Sequence, residues 1–163
     1  MKLKHYDNEG HARFVTFCTH HKIPVLADEV YRQAILDSID EVKSSTGFQL
    51  LAYVIMPEHV HLVLAPAEDS SLGHLIGEIK RLSAKAIHAL LLARHSTLVE
   101  RLSATRNGTR RFVLWQRRCY DKNCRSEREV WGAVRYCHNN PVKRGLVSDP
   151  ARWKWSSYSW YSE

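Results

Sequence analysis

Three features of the sequence predict an α+β fold. Segments with strand and helix periodicity alternate in the order β-α-β-β-α-β-α. Two of the strand segments are joined only by Pro57-Glu58, a link that makes them antiparallel neighbours. The chain has 163 residues, enough for one domain with one sizeable core. A four-stranded antiparallel sheet with two helices on one face is the ferredoxin-like arrangement, here with an additional C-terminal helix. Residues 1–163 read as a single domain, with 149–163 an aromatic C-terminal tail.

Each element has its own signal. Arg13 to Thr19 is rich in β-branched and aromatic residues and reads as a strand. Asp28 caps a helix on which Tyr31, Ile35, Ile39 and Val42 recur at helical spacing, and Gly47 stops it. Phe48 to Met56 is a nearly continuous apolar run of strand length, and His59 to Leu64 is the strand that follows it. Ser71 caps a second helix, with Leu72, Leu75, Ile76, Ile79, Leu82 and Ala86 on one face and Lys80, Arg81 and Lys85 on the polar side. From His95 to Arg111 the pattern dissolves into what reads as a flexible basic loop. A strand is expected around Trp115 to Tyr120. Ser126 and Glu129 form a capping box for the last helix, which Pro141 is expected to end at Asn140. The tail carries Trp153, Trp155, Tyr158, Trp160 and Tyr161, too aromatic to hang free, so it packs on the domain or on a ligand.

Composition narrows the function. At 44% hydrophobic and 25% charged, collagen-like, coiled-coil and fully disordered readings are excluded. No apolar run approaches the roughly 20 residues that span a bilayer, so no membrane partner is expected. The N-terminus lacks the apolar core of a secretory signal, which points to the cytoplasm. Cys18, Cys119, Cys124 and Cys137 are scattered, fit no common zinc spacing, and read as small buried hydrophobes. The charge is uneven: residues 1–79 hold 6 basic and 11 acidic residues, residues 80–163 hold 18 and 6. A basic half built mostly from Arg suits phosphate, and hence nucleic acid.

His59-Val60-His61 is the first candidate for chemistry. Side chains alternate along a strand, so His59, His61 and Val63 share one face while Val60, Leu62 and Leu64 face the core. Imidazoles about 7 Å apart along a strand can converge on one divalent metal, or can simply be two surface histidines. Tyr136 and Asn140, four apart, project from one side of the last helix. Asn140 offers a neutral amide oxygen one turn from Tyr136; as plain structure, it would be a helix cap and Tyr136 a packing residue.

The segments MPEHVHLVL (Met56 to Leu64), VRYCHNNPVKRGLV (Val134 to Val147) and WKWSSY (Trp153 to Tyr158) resemble the REP-associated tyrosine transposases, single-tyrosine HUH enzymes of insertion-sequence type. The resemblance runs from Phe14 to about Tyr158. It implies that His59, His61 and Asn140 are metal ligands, for Mg²⁺ or Mn²⁺, and that Tyr136 is the nucleophile. It also implies cutting of single-stranded DNA beside a hairpin, the repetitive extragenic palindrome, through a 5′-phosphotyrosine bond. One tyrosine per chain permits one cleavage per site, so strand exchange needs a homodimer or two successive events.

Lys80, Arg81, Arg117 and Arg118 are candidates to line a single-strand groove, with a solvated face equally open for each. Trp115 and Tyr120 either stack a base or pack in the core. Glu58 reads as a turn residue and His138 as structural, facing away from Tyr136. The alternative function is a non-catalytic single-stranded nucleic-acid-binding module of ferredoxin-like fold, which would need aromatics where His59 and His61 stand. A metal-dependent hydrolase of small phosphoesters leaves the basic half unexplained.

Overall fold

In the structure, a computed structural model, residues 11–162 are described. The N-terminal reading and the last residue of the tail lie outside them. The elements are β1 (Ala12–Cys18), α1 (Glu29–Thr46), β2 (Gln49–Ile55), β3 (His59–Ala65), α2 (Leu72–Ala93), α3 (Leu98–Arg101), β4 (Ser103–Arg106), β5 (Thr109–Phe112), β6 (Tyr120–Cys124) and α4 (Glu127–Lys143). The main sheet has the order β2-β3-β1-β6 with every pair antiparallel, the ferredoxin-like order.

Alternation along the strands separates two cores. Val15, Phe17, Val60, Leu62 and Leu64 face α1 and α2, meeting Tyr31, Ile35, Ile39, Leu75 and Ile79. Ala12, Val54, Val63 and Cys124 face the other way, onto Val130, Val134 and Cys137 of α4. The sheet is therefore covered on both faces, which is why Phe48 to Met56 is apolar almost without a break. A register shift between Leu50 and Ala52 turns Leu51 and Ala52 together towards α4. The ferredoxin-like reading of the sequence leaves the face opposite α1 and α2 free to hold a site; in the structure α4 packs there.

The predicted caps are in place. The Asp28 side chain accepts from the Val30 N–H, Ser71 from the His74 N–H, and Ser126 from the Glu129 N–H. Gly47 ends α1 in the left-handed conformation, φ 71°. The end of α4 differs from expectation. Pro141 is buried inside the helix, which continues to Lys143. The stop comes from Gly145 at φ 69°, where the Leu146 N–H reaches the Pro141 carbonyl and the Gly145 N–H that of Val142, a Schellman motif. A proline near a helix C-terminus forfeits one hydrogen bond, and this cap offsets it.

Two further corrections concern 95–124. The expected flexible loop contains α3 and the β4–β5 ribbon, turned at Asn107-Gly108 with φ of 49° and 74°. That Asn-Gly pair is a hairpin signal in its own right. The fourth sheet strand is Tyr120–Cys124, later than Trp115 to Tyr120. Trp115 instead makes a lone bridge to Thr19 and buries its ring, donating its indole N–H to the Ser83 hydroxyl.

The tail packs on the domain. The Ile55 N–H donates to the Trp155 carbonyl, the Trp153 indole to the Ile55 carbonyl, and the Tyr53 N–H to the Ser157 hydroxyl. These bonds cover the outer edge of β2. Arg32 of α1 is held against the rings of Trp153 and Trp155. Among the cysteines, Cys124 and Cys137 are buried but Cys119 is exposed, against the uniform reading.

Candidate active site

The strand β3 places His59 and His61 on the α4 side of the sheet, as the alternation requires. Both are buried, at 8% and 5% exposure. Their Nε2 atoms lie 3.0 Å apart. Each Nδ1 has its own partner. His59 Nδ1 meets the Glu58 carboxylate at 3.0 Å, and His61 Nδ1 meets the Thr16 hydroxyl at 2.6 Å. Thr16 is the register partner of His61 on β1, so sheet pairing itself supplies this contact. Partners on the second nitrogen orient an imidazole and leave Nε2 pointing into the site. Burial pushes both imidazoles towards the neutral form, His61 to about 3, helped there by the neighbouring His59. Neutral imidazole is the ligating form.

Asn140 is brought to the same point by α4. Its Nδ2 lies 3.2 Å from His61 Nε2, and its Oδ1 is buried with no hydrogen-bond partner. A half-turn of the amide exchanges the two atoms, so the residue can offer an oxygen to the same place. Two neutral imidazoles and an orphaned amide oxygen fit a divalent cation. Among the described residues no group of three His, Cys, Asp or Glu side chains converges on one point.

Tyr136 lies one turn earlier on α4 and is 43% exposed. Its ring meets Phe14 and His61 edge-on, with centroids 5.6 and 5.4 Å away. The Lys143 ammonium sits 5.1 Å from its ring centroid. Tyr136 opens onto a cleft of about 570 Å³ between β1, β6 and α4, lined also by His61, Phe14, Thr16, Tyr120 and Lys122. His138 turns to the opposite side of α4 and bonds Ser157 at 2.9 Å, the structural role expected of it.

The four basic candidates do not form one strip. Lys80 turns inward, a correction to its polar-side reading: its ammonium donates to the Gln116 carbonyl and lies over Phe17. Arg81 is paired with Glu78 on α2. Arg117 and Arg118 are exposed in the segment leading to Tyr120. The sequence reading missed Thr16, Phe14 and Lys143, whose side chains meet His61 or the Tyr136 ring. Strand parity on β1 would have found Phe14 and Thr16, which share the histidine face. Glu58 was underrated: its carboxylate binds His59 and also Arg144, at 2.8 Å.

Residues 9–140 match the family described as Transposase IS200 like. The chain belongs to the IS200-like transposase family. Within it, a REP-associated tyrosine transposase of Escherichia coli is 26% identical over 127 residues, 77% of this chain and 64% of the relative. A Haemophilus influenzae protein assigned to the same group is 25% identical over 142 residues, 82% of this chain and 76% of its own. A solved structure described as a REP-associated tyrosine transposase bound to a REP hairpin superposes with a TM-score of 0.70. It shares 23% identity, with 98% of this chain and 83% of that one covered. These relatives are of the group that the three motifs resemble, and the shared fold extends over the tail. No helix of this IS200-like transposase, among the described residues, is long and apolar enough to cross a membrane.

Proposed function

We propose that this IS200-like transposase is a metal-dependent endonuclease and strand transferase acting in the cytoplasm. It cuts single-stranded DNA beside a hairpin through a 5′-phosphotyrosine intermediate. The observation that carries the reading is the convergence of His59, His61, Asn140 and Tyr136 from β3 and α4 on one side of the sheet. The hairpin-bound fold neighbour supports a hairpin as the substrate of this chain.

Tyr136 is accessible, and its phenol oxygen attacks the scissile phosphorus. The Oη–P bond forms as the P–O3′ bond breaks. The phenol proton passes to solvent, and the departing 3′-oxygen takes a proton to become a hydroxyl. Mg²⁺ or Mn²⁺ held by His59, His61 and the Asn140 oxygen would polarise the phosphate and steady charge on the leaving oxygen. Lys143 adds a fixed positive charge beside the Tyr136 ring, favouring a phosphate there. The ester preserves the bond energy, so a second 3′-OH can reverse the step without ATP. With one such tyrosine per chain, full strand exchange takes a homodimer or two successive events.

The test is a denaturing gel of the protein incubated with a labelled hairpin-bearing single strand and Mn²⁺ or Mg²⁺. A protein–DNA band that survives denaturation is expected. Its absence on every hairpin substrate from the host genome moves the protein to the binding-module reading.

A further inference from the structure

The histidine pair stands between two cavities. His61 lines the aromatic cleft that holds Tyr136. His59 lines a second cavity of about 530 Å³, with Lys22, Pro24, Glu58 and Arg144. We propose that Lys22 and Arg144 form a phosphate-binding subsite for the strand that departs with the 3′-OH, across the histidine pair from Tyr136. This rests on the proposed cleavage by Tyr136.

The argument is one of direction. In phosphoryl transfer the attacking and leaving oxygens lie roughly in line through the phosphorus. Tyr136 enters from the His61 side, so the leaving oxygen and the strand attached to it exit on the His59 side. Two of the side chains waiting there, Lys22 and Arg144, are cations. Arg144 follows the last turn of α4, its N–H bonded to the Asn140 carbonyl. Glu58 engages its Nη1 at 2.8 Å, and about half of the side chain stays exposed. One carboxylate oxygen thus holds both Arg144 and His59. The guanidinium has four further N–H donors in a planar fork that suits phosphate. Two cations against Glu58 leave one positive charge, matching one phosphodiester.

The backbone at Lys22 supports the same reading. His21 and Lys22 both adopt the left-handed region, φ 50° and 54°. Thr19 locks the turn, its hydroxyl donating to the Ile23 carbonyl at 2.7 Å and its carbonyl accepting from the Lys22 N–H at 2.9 Å. Strained non-glycine conformations that the surroundings hold in place gather at functional sites. Here the strain presents a lysine beside a candidate metal ligand.

The subsite has a role in the chemistry. Once the P–O3′ bond has broken, the downstream strand stays on Tyr136 through its 5′-phosphate. The upstream strand has no covalent tie and must be kept in place for its 3′-OH to attack the phosphotyrosine again. Lys22 and Arg144 hold it there.

The test is a cycle between protein and DNA. The Lys22→Ala/Arg144→Ala double variant and wild type are given a hairpin-bearing strand whose upstream phosphate nearest the cut, located from the cleaved products, is replaced by an uncharged methylphosphonate. Lys22→Ala/Arg144→Lys, which keeps a cation beside Glu58, controls for disturbance of His59. On all-phosphate DNA the double variant still forms the covalent adduct, but rejoining falls about tenfold, the loss of one charge-assisted contact. The methylphosphonate produces a similar fall in wild type and little further change in the double variant. Binding of the same strands to Tyr136→Phe protein, with and without the two alanines, reads the subsite without cleavage. Equal methylphosphonate sensitivity with and without Lys22 and Arg144, or sensitivity only downstream of the cut, overturns the proposal. A wild type that forms no adduct while the binding cycle still shows coupling overturns the cleavage reading instead.

Discussion

The Nε2 atoms of His59 and His61 face each other at 3.0 Å across the middle of the site. A carboxylate only accepts, so the Glu58 contact puts the His59 proton on Nδ1 and leaves its Nε2 a bare lone pair. His61 then carries its proton on Nε2, donating to His59, with the Asn140 amide turned so that its oxygen and not its NH2 faces that proton, while the His61 Nδ1 accepts from the Thr16 hydroxyl. For a cation to take both Nε2 atoms, the His61 proton must move to Nδ1 and Thr16 must become the acceptor. A hydroxyl can do either, so Thr16 allows the switch where an apolar residue would not.

Metal binding is therefore expected to depend on three residues in two ways. Mn²⁺ at about 100 times its Kd should raise the stability of the wild type by about 2.7 kcal/mol, read as a rise in Tm. His59→Ala and His61→Ala should lose that rise. Thr16→Val keeps both ligands and should need about 10–100 times more Mn²⁺ for the same rise. Unchanged Mn²⁺ shifts in the two alanine variants would remove the metal centre from this site.

Tyr136→Phe deletes one oxygen from a side chain that is 43% exposed, and the ring keeps its edge contacts with Phe14 and His61. Stability should move by no more than about 0.5 kcal/mol. DNA affinity and the Mn²⁺ shift should persist while the denaturation-resistant DNA band disappears. A band of normal intensity from Tyr136→Phe would mean that another group carries the ester.

The legible parts of this molecule are those fixed by short-range rules. Two-residue periodicity places His59 and His61 on one face, and four-residue spacing aligns Tyr136 with Asn140, while the roles proposed for these four come only from the resemblance of the three motifs to a transposase family. Caps at Asp28, Ser71 and Ser126 mark three helix starts to the residue. What escaped depends on pairing between distant segments. Thr16 reaches His61 only through the β1–β3 register, and Arg144 reaches Glu58 only because α4 runs past Pro141 to a Gly145 stop. The 95–111 segment misled for a different reason. Its strands are four residues each, too short for alternation to show, and the Asn107-Gly108 turn was the one usable signal.

Acid should expose the contribution of the α1 cap. Asp28 accepts from the Val30 N–H at 3.0 Å and pairs with Arg94 at 2.7 Å, and these hold its carboxyl below the ordinary carboxylate range. A depressed folded value means the ionised form stabilises the fold. That contribution is complete above the unfolded carboxylate pKa of about 3.9 and is lost as pH falls through the lower folded value. Asp28→Ala should cost about 1 kcal/mol at neutral pH in urea unfolding. The gap from wild type should narrow below about pH 4. A gap that widens in acid would contradict the sign.

The basic half makes the last prediction. Residues 101–120 contain six arginines and no acidic residue. All six are exposed: Arg101, Arg106, Arg110 and Arg111 on or beside the β4–β5 ribbon, and Arg117 and Arg118 on the way to Tyr120. None forms an ion pair among the described residues, though Arg110 donates to the Glu100 carbonyl. The ribbon root is packed onto the domain, with Leu102 and Leu114 buried and the Phe112 and His88 rings stacked, centroids 4.2 Å apart. If about six phosphates are neutralised, affinity for a hairpin-bearing strand should fall by about 10³ between 50 and 200 mM salt. Each arginine lost should flatten the log–log salt slope by about 0.7 on single strand and 0.9 on duplex. Replacing Arg106, Arg110 and Arg111 together should therefore remove more slope than replacing Arg117 and Arg118, and both sets should leave Mn²⁺ binding untouched. An affinity indifferent to salt would return this surface to plain solvation, because phosphate contacts cannot form without releasing counterions.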